Sequence, residues 1–498
     1  MKIGLSRLRF ARPVSLLGLV GGWLLSLSGS AAAEVRRPNI LFLISDDQRP
    51  DTVGALGNSA IRTPNLDRLV RSGTAFTRAI AAYPICHVSR AEILTGTCAF
   101  RNGVGYRGTT IDPSLATWAG TFRAAGYHTW FVGKWHNDGQ PKDRGYDETR
   151  GLYTAGGGGK EQRAKYLDHA GRAATGYTGW TFKSDDGKPE PEKGIGLTPD
   201  ISRHFADAAI GFIERKPAEP FFLHVAFTAP HDPRLIPPGW EGRYEPAKMA
   251  LPKNFLAEHP FDHGNLKGRD EVLLAMPRQP DEVRAELAAY YAVISALDEQ
   301  IGRIVSALQT TGQLDHTLII FTTDQGLAVG SHGLMGKQNM YEHTLGVPLI
   351  FRGPGVPQGE RREAQCYLRD LFPTACDFAG IPTPDTVQSR SLLPALRDAQ
   401  KQVHPFVVGY FTDTQRAIRE GPWKLVLYPQ VKRTQLFDLA HDPDEMTDLS
   451  AQPEHAGRVT DLHGKLVAWL KENADPNVDA VAAMPTAAAA RNVEGAAK

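Results

Sequence analysis

Nearly continuous apolar runs alternate with helix-period stretches along most of the chain, and this alternation constrains the fold more than any other feature. The runs Asn39–Ser45 (NILFLIS), Thr129–Val132 (TWFV), Phe221–Phe227 (FFLHVAF) and Leu318–Thr323 (LIIFTT) read as strands buried on both faces. Helical patterns lie between them. Thr63-Pro64-Asn65-Leu66-Asp67 opens a short helix with a Thr cap and Pro in the first turn, and Gly73 ends it. Ser114–Ala125 reads as a helix that stops at Gly126, and Thr198–Lys216 as one that opens on Thr-Pro and ends before Pro217. Asp281–Leu308 is a long helix with Leu287, Tyr291, Ile294, Ile301, Ile304 and Leu308 near one face. The expected fold is therefore α/β: a large, mostly parallel sheet sandwiched by helices.

Two regions leave this rhythm. Residues 155–197 are polar and Gly-rich, and read as a surface insertion of the kind that often carries function. From about residue 405 the pattern changes to short pieces, 406–411, 416–419, 423–428 and 435–439, which predict a small antiparallel C-terminal subdomain over 401–474. Residues 475–498 are Ala-rich and read as a frayed tail. The catalytic α/β domain is placed at 34–400.

Residues 1–33 read as a cleaved secretory signal. Lys2, Arg7, Arg9 and Arg12 precede an apolar stretch from Val14 to Leu27, and Ala31 and Ala33 fit small-x-small cleavage. A secreted or periplasmic location follows, with no membrane span in the mature chain. Over all 498 residues, 56 Lys+Arg stand against 55 Asp+Glu, a net charge of +1; without residues 1–33 it becomes −3. That balance argues against a nucleic-acid partner bound through a broad basic face. Four Cys are too few for a disulfide scaffold.

In open α/β sheets ligands bind beyond the carboxyl ends of the strands. Here the four strand runs are followed by Asp46-Asp47, by Gly133-Lys134-Trp135-His136, by Thr228-Ala229-Pro230-His231-Asp232 and by Asp324-Gln325-Gly326. Taken together they point to one polar site on one sheet edge. Asp46, Asp47 and Asp324 can share a pocket only if a cation offsets their repulsion, and Gln325 can add an amide oxygen to a hard divalent ion. Helix capping or pairing with Arg is the plainer reading of any one of these Asp. A further segment, Cys86-His87-Val88-Ser89-Arg90, precedes a helical stretch. A group at its start meets unpaired N–H groups suited to an anion, and Arg90 one turn on can fork onto an oxyanion.

Cys86-x-x-Ser89-Arg90 followed by Leu94-Thr95-Gly96 resembles the signature of type I, formylglycine-dependent sulfatases. The family's other motifs follow in order: Asp46-Asp47-Gln48-Arg49, Gly133-Lys134-Trp135-His136, Ala229-Pro230-His231, Asp324-Gln325-Gly326 and Gly333-Leu334-Met335-Gly336-Lys337. The resemblance spans about residues 37–450. Val88 stands where the family has Pro or, less often, Ala, and Gln325 where Asn or His is usual.

The resemblance implies an alkaline-phosphatase-like fold and release of sulfate from a sulfated saccharide. It implies that a formylglycine-generating enzyme converts Cys86, whose hydrated aldehyde then carries two hydroxyls on one carbon. One would attack the sulfate sulfur, and the other would let the resulting ester collapse. It further implies Ca2+, with Mg2+ as the lesser candidate, held by Asp46, Asp47, Asp324 and Gln325. Arg90 would hold the residue-86 hydroxyl, Lys134 and Lys337 the sulfate oxygens. His231 would protonate the leaving oxygen, and His136 would take a proton from the second hydroxyl.

Arg49 and His332 are candidate substrate contacts. For Arg49, Arg107 and Tyr106 a solvated loop is the plainer reading; His87, His128 and His343 read as structural. Among Cys98, Cys366 and Cys376, a Cys366–Cys376 disulfide stays open, although Cys376 reads as packed in a helix. Competing activities are hydrolysis of aryl or choline sulfates, or of phosphate esters by related enzymes that use Ser or Thr. An inactive glycan-binding homologue is the reading from another class.

Overall fold

A computed structural model of the protein describes residues 37–105, 108–156, 166–172 and 177–485. The expected signal segment, Tyr106, Arg107 and the last part of the expected tail lie outside these residues. The strands in chain order are β1 (Asn39–Ser45), β2 (Thr74–Phe76), β3 (Ala79–Ile80), β4 (His128–Lys134), β5 (Glu148–Thr154), β6 (Thr181–Lys183), β7 (Phe221–Ala226), β8 (Thr317–Thr323), β9 (Leu349–Arg352), β10 (Glu360–Arg362) and β11 (Cys366–Tyr367). Four more, β12 (Val407–Phe411), β13 (Gln415–Glu420), β14 (Trp423–Tyr428) and β15 (Arg433–Asp438), complete the set. The helices are α1 (Pro64–Arg71), α2 (Cys86–Thr95), α3 (Ala99–Asn102), α4 (Trp118–Ala124), α5 (Ile201–Ile213), α6 (Pro280–Thr310), α7 (Glu342–Leu345), α8 (Leu371–Ala379), α9 (Leu393–Arg397), α10 (Ala456–Glu472) and α11 (Val478–Ala482).

The main sheet has the order β10-β2-β9-β8-β1-β7-β4-β5-β6 among the described residues. Its centre, β8-β1-β7-β4-β5, is parallel throughout, and antiparallel pairs occur only toward the margins. Period-2 alternation explains why the strand runs are apolar without a break. In β1, Ile40, Phe42 and Ile44 pack on one face with Ile93 of α2, Trp118 of α4 and Leu371 of α8. Leu41 and Leu43 pack on the other with Leu66 of α1, Phe205 of α5 and Ile301 of α6. None of the described helices is long and apolar enough to cross a membrane.

Several boundaries differ from expectation for local reasons. Residues 114–117 are not helical, because Ser114 N–H and Oγ both bond Asp112 Oδ1 in a turn and Thr117 caps α4 by accepting from Gly120 N–H. The helix expected from Thr198 begins at Ile201. Residues 475–485 are not frayed: α11 packs Val481 into the core, and the buried Asp475 carboxylate receives Arg416 at 2.6 and 3.0 Å. All four cysteines are buried free thiols, so Cys366 in β11 and Cys376 in α8 are not bridged. The expected C-terminal sheet is present as β12-β13-β14-β15, antiparallel throughout.

A group of buried histidines lies where the sheet core meets this C-terminal sheet. His332 stacks on Tyr341 with ring centroids 3.9 Å apart, His343 and His259 flank the same ring, and Tyr341 donates to Gln435 of β15. Burial lowers His259 and His332 to about 4 and His263 to about 3, and holds His343 well below its ordinary value. The unfolded chain takes up these protons as pH falls below about 6.5, whereas the folded chain resists until about 4. Unfolding free energy should therefore fall between those pH values by about 1.4 kcal/mol per pH unit for each such histidine. Because the buried carboxyls of Asp298, Asp324 and Glu445, raised to about 6, 6 and 7, act with the opposite sign, the measurement compares urea unfolding of the parent and of His263→Gln at pH 7, 5.5 and 4.5; an equal pH dependence of the two contradicts the assignment.

Candidate functional site

Strand register brings the predicted residues to one edge. Ser45 lies opposite Thr323, and Ile44 and Gly133 both lie opposite Ala226, so β1, β8, β7 and β4 end side by side. Lys134 is the last residue of β4, two residues beyond the end of the run Thr129–Val132. Gly133 is required there. Its φ is +96°, and a Cβ would stand 2.0 Å from the Ala226 carbonyl oxygen.

Asp46, Asp47, Asp324 and Gln325 are fully buried. Ligand atoms of Asp46, Asp47, Asp324 and Cys86 all lie within 4.8 Å of one another. Asp47 sits at φ +66°, a left-handed conformation uncommon outside glycine; its N–H donates to Asp324 Oδ1 at 3.1 Å and its carbonyl accepts from Tyr290. Each carboxylate has a cation. Lys134 and Arg90 face Asp46, Lys337 contacts both oxygens of Asp47 at 3.0 and 2.7 Å, and Arg90 Nε donates to Asp324 Oδ2 at 2.9 Å.

Cys86 is the first residue of α2 rather than preceding it. Its Sγ is 3.3 Å from Asp46 Oδ1, 3.2 Å from Gln325 Nε2 and 3.3 Å from Lys337 Nζ. Helix α2 is fixed along its length. Ser89 Oγ donates to the Asp324 carbonyl at 2.6 Å, and buried Glu92 receives Ala99 N–H, Tyr410 OH and Arg369. Gly96 ends the helix in the left-handed conformation, its N–H on the Glu92 carbonyl.

The electrostatics follow from burial and crowding. Burial pushes Asp46 up, but Lys134, His231, Arg90 and Lys337 outweigh it and hold this carboxyl well below the usual range. For Asp324, burial and the neighbouring Asp46 prevail over Arg90 and raise it to about 6. Burial and Lys337 oppose a charge on His231, yet Asp47, Asp232 and Asp46 raise it to about 10. Its Nε2 is 3.5 Å from Asp47 Oδ2 and its Nδ1 3.1 Å from Asp232 Oδ1. His136 is the converse: burial, then Lys134 and Arg90, hold it well below its ordinary value, so it is neutral. Its buried Nδ1 has no hydrogen-bond partner among the described residues, and its ring lies 5.6 Å from that of His87.

Sequence reasoning missed several neighbours. Tyr177, from the polar insertion, donates to Asp46 Oδ2 at 2.6 Å, and its ring lies 4.9 Å from that of His231. Asp232 and Arg269 surround His231. Glu271 accepts the N–H groups of Met335 and Gly336, both at 2.8 Å, and so sets the approach of Lys337. Their only sequence signals were the length of the insertion and the Asp beside His231.

Two candidates are placed elsewhere. Arg49 is buried and its guanidinium is engaged by Asp51, the Leu327 and Ala328 carbonyls and Ser331 Oγ, so it braces the loop after β1 instead of facing substrate. His332 is packed in the Tyr341 stack. Arg107 and Tyr106 are outside the described residues.

A parallel sheet whose carboxyl edge gathers three carboxylates, a helix-terminal Cys and flanking cations defines a hydrolase of the alkaline-phosphatase-like class. The family model described as Sulfatase matches residues 38–381, and one described as N-sulphoglucosamine sulphohydrolase, C-terminal, matches residues 330–472. An N-acetylglucosamine-6-O-sulfatase of Bacteroides thetaiotaomicron is 28% identical, covering 93% of this chain and 92% of its own. An arylsulfatase of Clostridium perfringens is 30% identical, covering 87% of this chain and 95% of its own. A solved structure in complex with its substrate D-glucosamine-2-N,6-O-disulfate matches with a TM-score of 0.72 at 25% identity, covering 89% of this chain and 99% of that one. The chain belongs to the sulfatase family and is a sulfuric ester hydrolase.

Tyr177→Phe should lower kcat/KM for sulfate-ester hydrolysis by roughly tenfold or more while leaving the melting temperature near that of the parent, because it removes one hydrogen bond to a charged group. Unchanged kinetics would remove Tyr177 from the site. Gly133→Ala should cost at least about 3 kcal/mol in chemical unfolding, since both the contact and the backbone conformation are lost; a loss below about 1 kcal/mol contradicts the close approach described above.

Proposed function

We propose that this enzyme removes sulfate from an extracellular sulfated carbohydrate, with O-sulfated glucosamine as the first substrate to test. The observation that carries the proposal is the buried cluster of Asp46, Asp47, Asp324 and Cys86 enclosed by Lys134, Lys337, Arg90 and His231. The glucosamine assignment draws on the relative named as an N-acetylglucosamine-6-O-sulfatase and on the neighbour's glucosamine disulfate substrate. The Lys/Arg-led apolar segment at 1–33 supports secretion or a periplasmic location.

The donor set fits a hard divalent cation. Three carboxylates converge, and Gln325 stands against them with its Nε2 donating to Asp47 Oδ1; its Oε1, buried without a partner among the described residues, would face the same point once the amide is turned over. Asp46, Asp47, Asp324 and Gln325 would hold Ca2+, an all-oxygen set that suits it, and such an ion would supply charge to orient sulfate and help ionise a hydroxyl. Cys86, converted to formylglycine by a generating enzyme, supplies two hydroxyls on one carbon, one for attack on sulfur and one for sulfate release.

The chain's own residues do the rest. Lys134 and Lys337 take up negative charge on sulfate oxygens in a site from which water is excluded by burial. Arg90, fixed by Asp324, orients the residue at position 86. His231, positively charged at neutral pH and held through Nδ1 by Asp232, donates a proton from Nε2 to the leaving oxygen. His136, neutral and with Nδ1 free among the described residues, accepts one.

Sulfate release from N-acetylglucosamine-6-sulfate, other sulfated sugars, an aryl sulfate and choline sulfate tests the reading. Cys86→Ala should lower release by at least about a thousandfold. The Cys86 peptide of the active enzyme should show by mass spectrometry a CHO group in place of CH2SH. An intact thiol in fully active protein contradicts the formylglycine assignment; equal activity of Cys86→Ala contradicts the catalytic one.

A further inference from the structure

Two adjoining cavities lie along α6, and the first shares His231 with the site described above. The first, of about 560 Å3, starts at Thr228, Ala229 and His231 and runs past the beginning of α5 to Trp240. The second, of about 260 Å3, lies against Arg62, Arg243 and Tyr244. Trp240 and Glu299 line both cavities, so the two meet at this pair of side chains.

His231 stands at the junction between chemistry and cavity. Its Nε2 is 3.5 Å from Asp47 on the carboxylate side, and the same residue lines the first cavity. A group that protonates a leaving oxygen must face both the sulfur and the alcohol being released. The cavity that begins at His231 is therefore where the alcohol portion leads, and its volume falls within the roughly 300–1,000 Å3 of ligand pockets.

The far end suits an anionic sugar. Trp240, only partly buried, offers an indole face between the two cavities, and the apolar C–H face of a pyranose packs on such a surface. Arg243 lies against that ring at 5.3 Å and spends one donor on the Gly239 carbonyl. Neither Arg243 nor the exposed Arg62 is ion-paired with a carboxylate among the described residues. Asp298 also lines the second cavity, and its carboxylate accepts the N–H groups of Asn65 and Leu66 at the start of α1. Glu299 is left at the junction as an acceptor for sugar hydroxyls. The loop carrying Trp240 is fastened on α6 by Tyr244 OH, 2.6 Å from Ser295 Oγ.

We infer that the two cavities form an extended groove for the saccharide units beyond the one that loses sulfate, with Trp240 as a stacking platform and Arg62 and Arg243 receiving the sulfate or carboxylate of a following unit. This rests on the carbohydrate reading of the site, and it makes the substrate a chain rather than a single sugar or a small aryl ester.

Steady-state kinetics on a heparin-derived tetrasaccharide and on N-acetylglucosamine-6-sulfate test it, using the parent, Trp240→Ala and the exposed-site variant Arg243→Glu. The parent should have the lower KM for the tetrasaccharide. Each variant should raise that KM on the order of tenfold with kcat unchanged. On the monosaccharide both should stay within about twofold of the parent. Equal losses on both substrates, no change on the tetrasaccharide, or a parent indifferent to chain length would each overturn the groove while leaving the sulfatase intact. If the parent releases sulfate from neither saccharide, the carbohydrate reading fails instead. Calorimetric binding of the tetrasaccharide to Cys86→Ala, weakened by Arg243→Glu or absent altogether, then supports or overturns the groove separately.

Discussion

Like-charge repulsion at the sheet edge is the constraint around which the molecule is arranged. Three carboxylates with oxygens within 4.8 Å of one another, all out of water, repel by about 3 kcal/mol or more per ionised pair at an effective dielectric of ~20. The fold answers with Lys134 from the end of β4, Arg90 from α2, His231 from the loop after β7 and Lys337 from the loop after β8. The compensation is uneven. Asp46, facing Lys134, His231 and Arg90, is held well below the usual carboxylate range, whereas burial and Asp46 raise Asp324 to about 6.

Helix α2 must hold Cys86 against this charged edge, and the C-terminal sheet helps to fix it. Buried Glu92 of α2 accepts from Tyr410 of β12 and from Arg369, whose guanidinium carbon lies 3.6 Å from the Tyr367 ring. A second buried network ties Arg419 of β13 and Lys424 of β14 to Glu342 and Glu445. The small sheet is thus a buttress for the loop of Lys337 and the helix of Cys86, which is why a remote substitution at Glu92 or Arg369 would act on the catalytic edge.

The fold and most of the site were legible because continuous apolar runs mark buried parallel strands, and their carboxyl ends must converge. Asp46, Asp47, Lys134, His231 and Asp324 stand at those ends; the Cys86–Arg90 segment stands out as a helix start suited to an anion, and the family motifs add Lys337. Tyr177, Arg269 and Glu271 were not legible. They come from irregular segments with no period, and reach the site only through tertiary packing. Arg49 misled because proximity in sequence to Asp46-Asp47 says nothing about direction: its side chain turns into the protein toward Ser331. The Ser114–Ala125 helix was overextended because composition does not show that Ser114 prefers an Asp112 turn. Cys366 and Cys376, close in sequence, are held apart by separate packing in a strand and a helix.

Calcium titration measures directly whether the crowded carboxylates form a divalent-cation site. Isothermal titration of chelator-stripped enzyme should show one Ca2+ site, lost in Asp324→Asn while the variant keeps its fold. A stripped enzyme that binds no divalent cation, or an Asp324→Asn variant that binds as the parent does, would contradict a cation site at these carboxylates.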